Sequence, residues 1–395
     1  MYDVIVVGAR VAGASTALLF AQAGHRVLLV DRAHFPSDTL STHYIHQPGV
    51  ALLARWGVLD AIRATGCPAL HRTVYQVADV RLDGHGHAVD GHQAAYAPRR
   101  HLLDKLLIDA AVAAGAEFRE GCSVAGPLVE DGRVTGVRFR ADSSRGVERA
   151  RLVVGADGMR STFAKAVGAP YEVQDPLLSC VYYTYWQGMR TDFELYERPG
   201  RWVGAVPTND GATMIAAYYP QAEYNRVRGD AQAHYLTNIR TTAPALYERL
   251  LDGEQVERLR GTGDQQNFFR RAGGPGWALV GDAAHHKDSI TARGISDAFL
   301  QAQLLADHVA GGDLADRGRL DTGLARYADE LPDELFEGYR NTLFVARLEV
   351  SADRLAMLRV VQQSPELTSH YFAAAAGAAS VEDLYNDKLL GLLAA

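Results

Sequence analysis

Hydrophobic positions along the chain change rhythm several times, and each change marks an element. Val4-Ile5-Val6-Val7 is an unbroken apolar, β-branched run, the pattern of a parallel strand buried on both faces. Ala12–Ala23 is rich in Ala and Leu and closes at Gly24, which predicts a helix. His25–Val30 predicts a second strand, with Asp31 at its carboxyl end. Strand, helix and strand together form one βαβ unit of about thirty residues. Leu102–Ala114 has helical periodicity, and Gly115–Phe118 leads into a further strand. Val129–Phe139, with Asp131-Gly132 in its middle, predicts a β-hairpin. Leu152–Gly155 and Trp277–Val280 are two more short runs that read as buried strands.

Two stretches, Arg72–Ala97 and roughly Val173–Phe269, behave differently. They alternate apolar and polar residues and are rich in Tyr and Trp, as in Val181-Tyr182-Tyr183-Thr184-Tyr185-Trp186. That predicts antiparallel strands with one face open to something. From Ile295 onward the pattern is mostly helical. The expected architecture is α/β. A Rossmann-like dinucleotide-binding domain is assembled from residues 1–72, 98–172 and 270–330. An antiparallel β-sheet domain is inserted into it as residues 73–97 and 173–269, and residues 331–395 form a C-terminal helical region.

Composition narrows the class. A chain of 395 residues buries a large core, and 48% hydrophobic with 22% charged residues is ordinary for a soluble globular protein. The formal net charge of -7 argues against non-specific binding to nucleic acid or to anionic membranes. Cys67, Cys122 and Cys180 are too widely spaced for a CxxC, zinc or iron–sulfur site. An odd count without a signal peptide reads as reduced thiols in a cytoplasmic protein. The apolar stretch Val4–Phe20 lacks a basic n-region and is interrupted by Gly8, Arg10 and Gly13, so neither a signal peptide nor a membrane span is expected. Nothing in the sequence marks an oligomeric state.

Three short motifs carry the chemistry. The first is Val4–Gly13, closing near Asp31-Arg32. Gly8 permits a tight turn out of the strand, and Gly13 permits close helix–strand packing. The amides at the helix start, near Val11, then face an anionic pyrophosphate. Asp31, eighteen residues past Gly13, suits the adenosine ribose hydroxyls and disfavours a 2′-phosphate. Arg10 stands where the fingerprint wants glycine. Turned outward, its guanidinium could pair with a phosphate bidentately. The second motif, Gly155–Ser161, holds Asp157-Gly158, which reads either as a cofactor contact or as an Asp capping the following helix. The third is Gly281-Asp282-Ala283-Ala284-His285. Its carboxylate suits ribityl hydroxyls or a cap. Gly294 then opens the helix from Ile295, whose first amides suit a flavin pyrimidine, where negative charge develops on reduction. Order and spacing together point to a single, non-covalent FAD.

With these motifs the sequence resembles the FAD-dependent monooxygenases of the p-hydroxybenzoate hydroxylase type, whose relatives include flavin halogenases and geranylgeranyl reductase-like enzymes. The resemblance covers roughly residues 1–310. The family's late motif reads GDAAHxxxPxxGxGxN and aligns with Gly281–Ser296 without a gap, with Ser289 in place of the proline and Ser296 in place of the asparagine. Arg100-His101-Leu102-Leu103-Asp104 resembles the family's RxxLD helix start, whose Arg touches FAD, with Arg99 as the alternative. By the same resemblance, Phe35-Pro36 followed by Ser41-Thr42-His43 passes the isoalloxazine, and Val124 lies near adenine. The implied activity is a monooxygenase that takes NADH or NADPH as transient reductant and molecular oxygen as co-substrate. It would hydroxylate or epoxidise a small, aromatic or polycyclic organic substrate. A reductase or dehydrogenase of the geranylgeranyl reductase type is the alternative. A halogenase fits less well, because Trp202-Val203-Gly204-Ala205-Val206-Pro207 has Gly204 where that family's WxWxIP motif has its second Trp.

For the reacting end, Tyr183 and Tyr185 are two apart and share one face of a strand. They read as a substrate wall or as sheet core. Ser289 and Thr291 shape the flavin-edge loop. His43 is the titratable candidate, since an unperturbed imidazole changes charge near pH 6.5. Its other reading is a simple hydrogen bond to the flavin or to a neighbouring loop. His85, His87 and His92, with Asp83 and Asp90, read as a solvated hairpin tip, and no metal is expected.

Overall fold

The computed structural model describes residues 1–39, 41–141 and 144–394. Five parallel strands lie in the order Trp277–Leu279, Ser144–Gly155, Tyr2–Val7, Val27–Val30 and Glu117–Arg119. Val4 pairs with Val27 on one side and with Leu152 on the other. Val4, Ile5 and Val6 are fully buried, as the unbroken apolar run requires. Ten of the twelve residues of the helix Val11–Gln22 are buried, since it packs against both Arg100–Ala113 and Gly294–Val309. Its small Ala, Gly and Ser residues allow that crowding.

The expected hairpin is longer than its apolar core. Ser123–Glu130 and Arg133–Ala141 turn at Asp131-Gly132, both with positive φ, 50° and 75°. The strand that follows, Ser144–Gly155, runs for 12 residues instead of the expected four. Its first half pairs antiparallel with Arg133–Ala141 and its second half enters the parallel sheet. The charged residues of the first half hide this continuity from an apolar-run reading.

The second large sheet departs from the expectation of one open face. Its main path runs Glu254–Gln255, Ser179–Gln187, Thr213–Pro220, Arg201–Pro207, Phe193–Arg198, Thr73–Val77, Val80–Gly84. The pairing is antiparallel except where Phe193–Glu197 meets Thr73–Val77 in parallel. Eight of the nine residues of Ser179–Gln187 are buried, because both faces are packed, one by helices and the other around Tyr185 by His43 and Arg99. Cys180, Tyr182, Ile215 and Ala217 face the helices Ala231–Thr242 and Pro244–Leu250, which alternation did not suggest. Met214, Ala216 and Trp202 face a cavity shared with the C-terminal helices Ala352–Gln362 and Pro365–Ala376, and Tyr183 and Tyr185 belong to the same core cluster. A 30-residue helix, Arg317–Ala346, contributes to both cores, with Leu320 and Tyr327 in the first and Ala346 in the second. Among the described residues, no helix is long and apolar enough to cross a membrane.

Candidate active site

Backbone packing brings the three motifs to one point. Gly8 has φ +104°, and a Cβ there would lie 2.4 Å from the Ala156 carbonyl oxygen. A Cβ on Gly13 would lie 1.7 Å from the Gly8 carbonyl oxygen, and one on Gly281 2.6 Å from the Ala12 Cβ. Only glycine fits at these contacts. The first motif therefore touches the second through Gly8 and the third through Gly281.

The polar residues around this point divide into two groups. The first group is already engaged. Asp31 accepts from Ala9 N at 2.7 Å and from Ala33 N at 2.8 Å, one amide on each oxygen, which leaves lone pairs for a further donor. Asp157 accepts from Thr162 N, Phe163 N and the Ser161 hydroxyl, so its carboxylate caps the helix Thr162–Ala166. Arg10 donates to Asp104 Oδ2 at 2.7 Å and to Ser37. Its guanidinium is thus anchored on a carboxylate, where the sequence suggested a free phosphate clamp. Arg100 chelates the same fully buried Asp104, at 3.0 and 3.1 Å to Oδ1, which explains why the RxxLD pattern carries both residues. Arg99 turns the other way, to Asp38 and Glu257.

The second group is open. Asp282 is exposed in the turn Gly281–Ala283. Gly294 is exposed at the start of the helix Gly294–Val309, with no atom within 4 Å of an added Cβ, and Ile295 behind it is buried. Arg32 is exposed beyond Asp31, Val11 opens the first helix, and Val124 is packed at the edge of the core. A glycine cradle, a free carboxylate and an uncovered helix start fit FAD, and they do so with this chain's own residues.

Buried charges brace the loop 287–293, the one expected at the flavin edge. Lys287 pairs with Asp297 in the first turn of that helix, both nearly solvent-free. Burial alone would raise the Asp297 carboxyl, but Lys287 and Arg293 outweigh it and hold it at about 2. Asp288 caps the turn Ser289–Thr291 through Ile290 N, and burial pushes it up to about 6.

His43 is fully buried at left-handed φ 62°. Nε2 bonds the Tyr185 hydroxyl, and Nδ1 has no partner among the described residues. Burial and then the Arg100 cation push the imidazole down to about 3, so it is neutral at neutral pH. The ordinary value near 6.5 that singled out His43 does not hold in this surrounding.

A cavity of about 480 Å³ opens beside the loop, a volume suited to a small organic molecule. Thr42, His46, Ile290 and Thr291 border it on the loop side, and Tyr75, Trp202, Tyr218 and Tyr371 form aromatic walls. Arg354 is its buried cation. It pairs with Glu197 through two bonds of 2.8 Å and donates to the Tyr75 hydroxyl at 2.7 Å. Of Tyr183, Tyr185 and the two loop residues Ser289 and Thr291, taken together as the expected pocket residues, Thr291 lines the cavity, and its hydroxyl also meets Thr342 at 2.7 Å. Tyr183 and Tyr185 lie on the cavity's face of the sheet but one strand beyond the wall, opposite Ala216 and Met214, which do line it. Tyr185 instead lies under the Arg99 guanidinium, 4.0 Å from its ring centre. Ser289 sits behind the wall between Tyr218 and Gln265. Tyr75, Tyr218 and Arg354 went unnoticed in the sequence, and Trp202 stood out there only as part of a halogenase-like motif, not as a cavity wall. The Tyr/Trp-rich alternation pointed to the region but could not give the register. His85 and His87 do not converge: His85 Nδ1 meets the Gly86 carbonyl, and the His87 ring packs on His370.

This fold and this glycine cradle are those of a flavoprotein oxidoreductase. The chain belongs to the FAD-binding domain family, whose model matches residues 1–327. It is 28% identical over 333 residues to a 6-methylpretetramide 4-monooxygenase of Streptomyces rimosus, covering 80% of this chain and 78% of that one. It is 26% identical over 368 residues to a digeranylgeranylglycerophospholipid reductase of Methanopyrus kandleri, covering 88% and 89%. A solved flavin-dependent brominase superposes with a TM-score of 0.85 at 16% identity, over 100% of this chain and 98% of that one. The protein is an FAD-dependent oxidoreductase.

Proposed function

We propose that this enzyme is an NAD(P)H-dependent monooxygenase that hydroxylates or epoxidises an aromatic or polycyclic organic substrate. The observation that carries the reading is the aromatic-walled cavity opening directly onto the flavin-edge loop, at Ile290 and Thr291. Its likeness to a relative named for 4-monooxygenation of 6-methylpretetramide supports the same chemistry. Bound FAD supplies two-electron transfer from the nicotinamide and activation of oxygen. In balance, one oxygen atom enters the substrate, the other leaves as water, and NAD(P)H is oxidised.

The chain's own residues do the rest. Asp31 and the helix-start amides near Val11 hold the adenosine and pyrophosphate, with Arg10 and Arg100 adding positive charge nearby. Asp282 would hold the ribityl chain, and the helix from Gly294 would turn its positive end toward the pyrimidine. His43 works as a neutral imidazole whose free Nδ1 offers one hydrogen bond. The aromatic walls orient a flat substrate and keep water from the reacting centre.

The test is a substrate screen scored by coupled NAD(P)H oxidation and oxygen uptake, with product mass read for a gain of one oxygen. A second reading, reduction of an alkene, is favoured by the extended match to a lipid reductase. It predicts a gain of two hydrogens and no stoichiometric oxygen use, and that result would replace the first reading.

A further inference from the structure

The hydrogen bonds behind Tyr218 run in one direction only. Gln265 is buried, and its Nε2 lies 3.2 Å from the Ser179 carbonyl oxygen and 3.3 Å from Asp288 Oδ2. The carbonyl and the carboxylate are acceptors, and the Ser179 hydroxyl, 3.0 Å from Nε2, gives its own hydrogen to Asp288 Oδ2, so this side of the amide carries the NH2 group and Oε1 faces the other way. Oε1 accepts from Ser289 N at 3.2 Å and from the Ser289 hydroxyl at 2.5 Å. The single hydroxyl hydrogen of Ser289 is thereby committed. Its 3.0 Å contact with the Tyr218 hydroxyl is then closed by the tyrosine's hydrogen, with Ser289 accepting. Burial raises the Tyr218 phenol above its ordinary range, so it keeps that hydrogen. Tyr218 also lines the cavity, next to a loop whose residues Ile290 and Thr291 border it. With its hydrogen turned away, the phenol can offer the cavity only oxygen lone pairs.

We infer that Tyr218 is a specificity-determining hydrogen-bond acceptor, selecting substrates that present a hydroxyl or N–H donor at the flavin-loop end of the cavity. The inference rests on the reading of this cavity as an aromatic substrate site. A phenolic or enolic hydroxyl completes the chain from substrate through Tyr218, Ser289 and Gln265 to Asp288. An ether or ketone oxygen at the same place sets lone pair against lone pair. A bare hydrocarbon leaves the phenol oxygen without its water.

The test uses FAD-loaded enzyme and isothermal titration with a matched pair of probes, 1-naphthol and 1-methoxynaphthalene. The wild type is expected to bind the naphthol about tenfold more tightly than its methyl ether, the size of one hydrogen bond. Tyr218→Phe should bring the ratio close to one. Ser289→Ala should also lower it, by the opposite route: the freed Tyr218 hydrogen can now serve the ether, so ether affinity rises. A wild-type ratio of one or below, a ratio that survives Tyr218→Phe, or a Ser289→Ala ratio equal to wild type overturns the inference. Binding of neither probe overturns the aromatic-cavity reading itself, and the inference falls with it.

Discussion

His43 and Tyr185 are joined by a hydrogen bond sealed from solvent, although 142 residues separate them in the chain. The bond ties the segment Ser41–His43 to the aromatic sheet. Arg99 covers the outer side of the tyrosine ring, and Asp38 and Glu257 hold Arg99 in place. The ring of His43 is therefore fixed on one side, and Nδ1 has no hydrogen-bond partner among the described residues.

Acid should expose the cost of this arrangement. His43 is held at about 3 in the fold, mainly by burial, against an ordinary value of 6.5. Between those values the unfolded chain binds a proton that the folded one does not. The stability contribution is complete above about pH 6.5 and is lost as pH falls toward 3. Between pH 6.5 and 4.5 one such group accounts for about 2–3 kcal/mol. His43→Asn keeps the left-handed backbone tolerable and removes the titration. Urea midpoints of wild type and variant at pH 7.5 and 4.5 should show a smaller acid loss in the variant. The loss does not vanish, because burial also depresses His46, to about 4. Equal losses would remove His43 as the titrating group.

What the sequence revealed and what it concealed divide along contact range. Gly8, Gly13, Asp31 and Gly281 stand beside short apolar strands, and their roles follow from local turns and backbone crowding, so the cradle was legible. The cavity was not. Tyr75 reaches it because Thr73–Val77 pairs in parallel with Phe193–Glu197, more than a hundred residues away. Arg354 reaches Glu197 across 157 positions. Tyr183 and Tyr185 have the right face but the wrong strand, since only the register against Met214 and Ala216 decides which residues become wall. Arg10 illustrates the same limit. Its departure from the glycine pattern was visible, but its partner, Asp104, lies 94 residues on.

Asp282 and Asp157, both drawn from cofactor motifs, should respond in opposite ways. Asp282 is exposed, so Asp282→Ala should leave the apoprotein's melting temperature unchanged while weakening FAD by about 1.5–3 kcal/mol. Asp157 accepts four hydrogen bonds at a helix start, so Asp157→Ala should lower apoprotein stability by about 1 kcal/mol with a smaller effect on FAD. Flavin fluorescence titration and thermal melting of the apoprotein separate the two. Normal FAD affinity in the Asp282 variant would reject the ribityl assignment.

The pair Arg354–Glu197 fastens the C-terminal helices to the sheet, with the Glu197 side chain fully buried and Arg354 nearly so. Glu197→Ala leaves an unpaired cation in the interior and should cost about 3–5 kcal/mol. Replacing both residues with Met should recover most of that loss, since a well-packed apolar pair avoids the desolvation of two charges. Denaturant unfolding compares the three proteins, and proteolysis between residues 352 and 394 reports whether the helices have loosened. A double variant no more stable than Glu197→Ala would show that the residues matter by shape and not by charge.

Gly204 provides the most direct test of the cavity as the ligand site. It sits in the strand Arg201–Pro207 and borders the cavity beside Trp202. The nearest atom to an added Cβ is a Leu195 methyl at 3.5 Å, an ordinary contact, so a side chain is accepted by the backbone and projects toward empty volume. Gly204→Leu removes a glycine from a strand interior, which favours the fold if anything. The three glycine contacts of the flavin cradle lie elsewhere, at Gly8, Gly13 and Gly281. The variant should therefore carry a full complement of FAD and melt at or above the wild-type temperature. Its affinity for 1-naphthol should nonetheless fall about tenfold or more, equivalent to ~1.4 kcal/mol or greater, because the isobutyl group occupies the space the ring needs. Filling the cavity and measuring FAD content, melting temperature and naphthol affinity on one preparation separates loss of the site from loss of the fold. Undiminished naphthol binding in a folded, FAD-replete variant would place the aromatic ligand site somewhere other than between Trp202 and the flavin-edge loop.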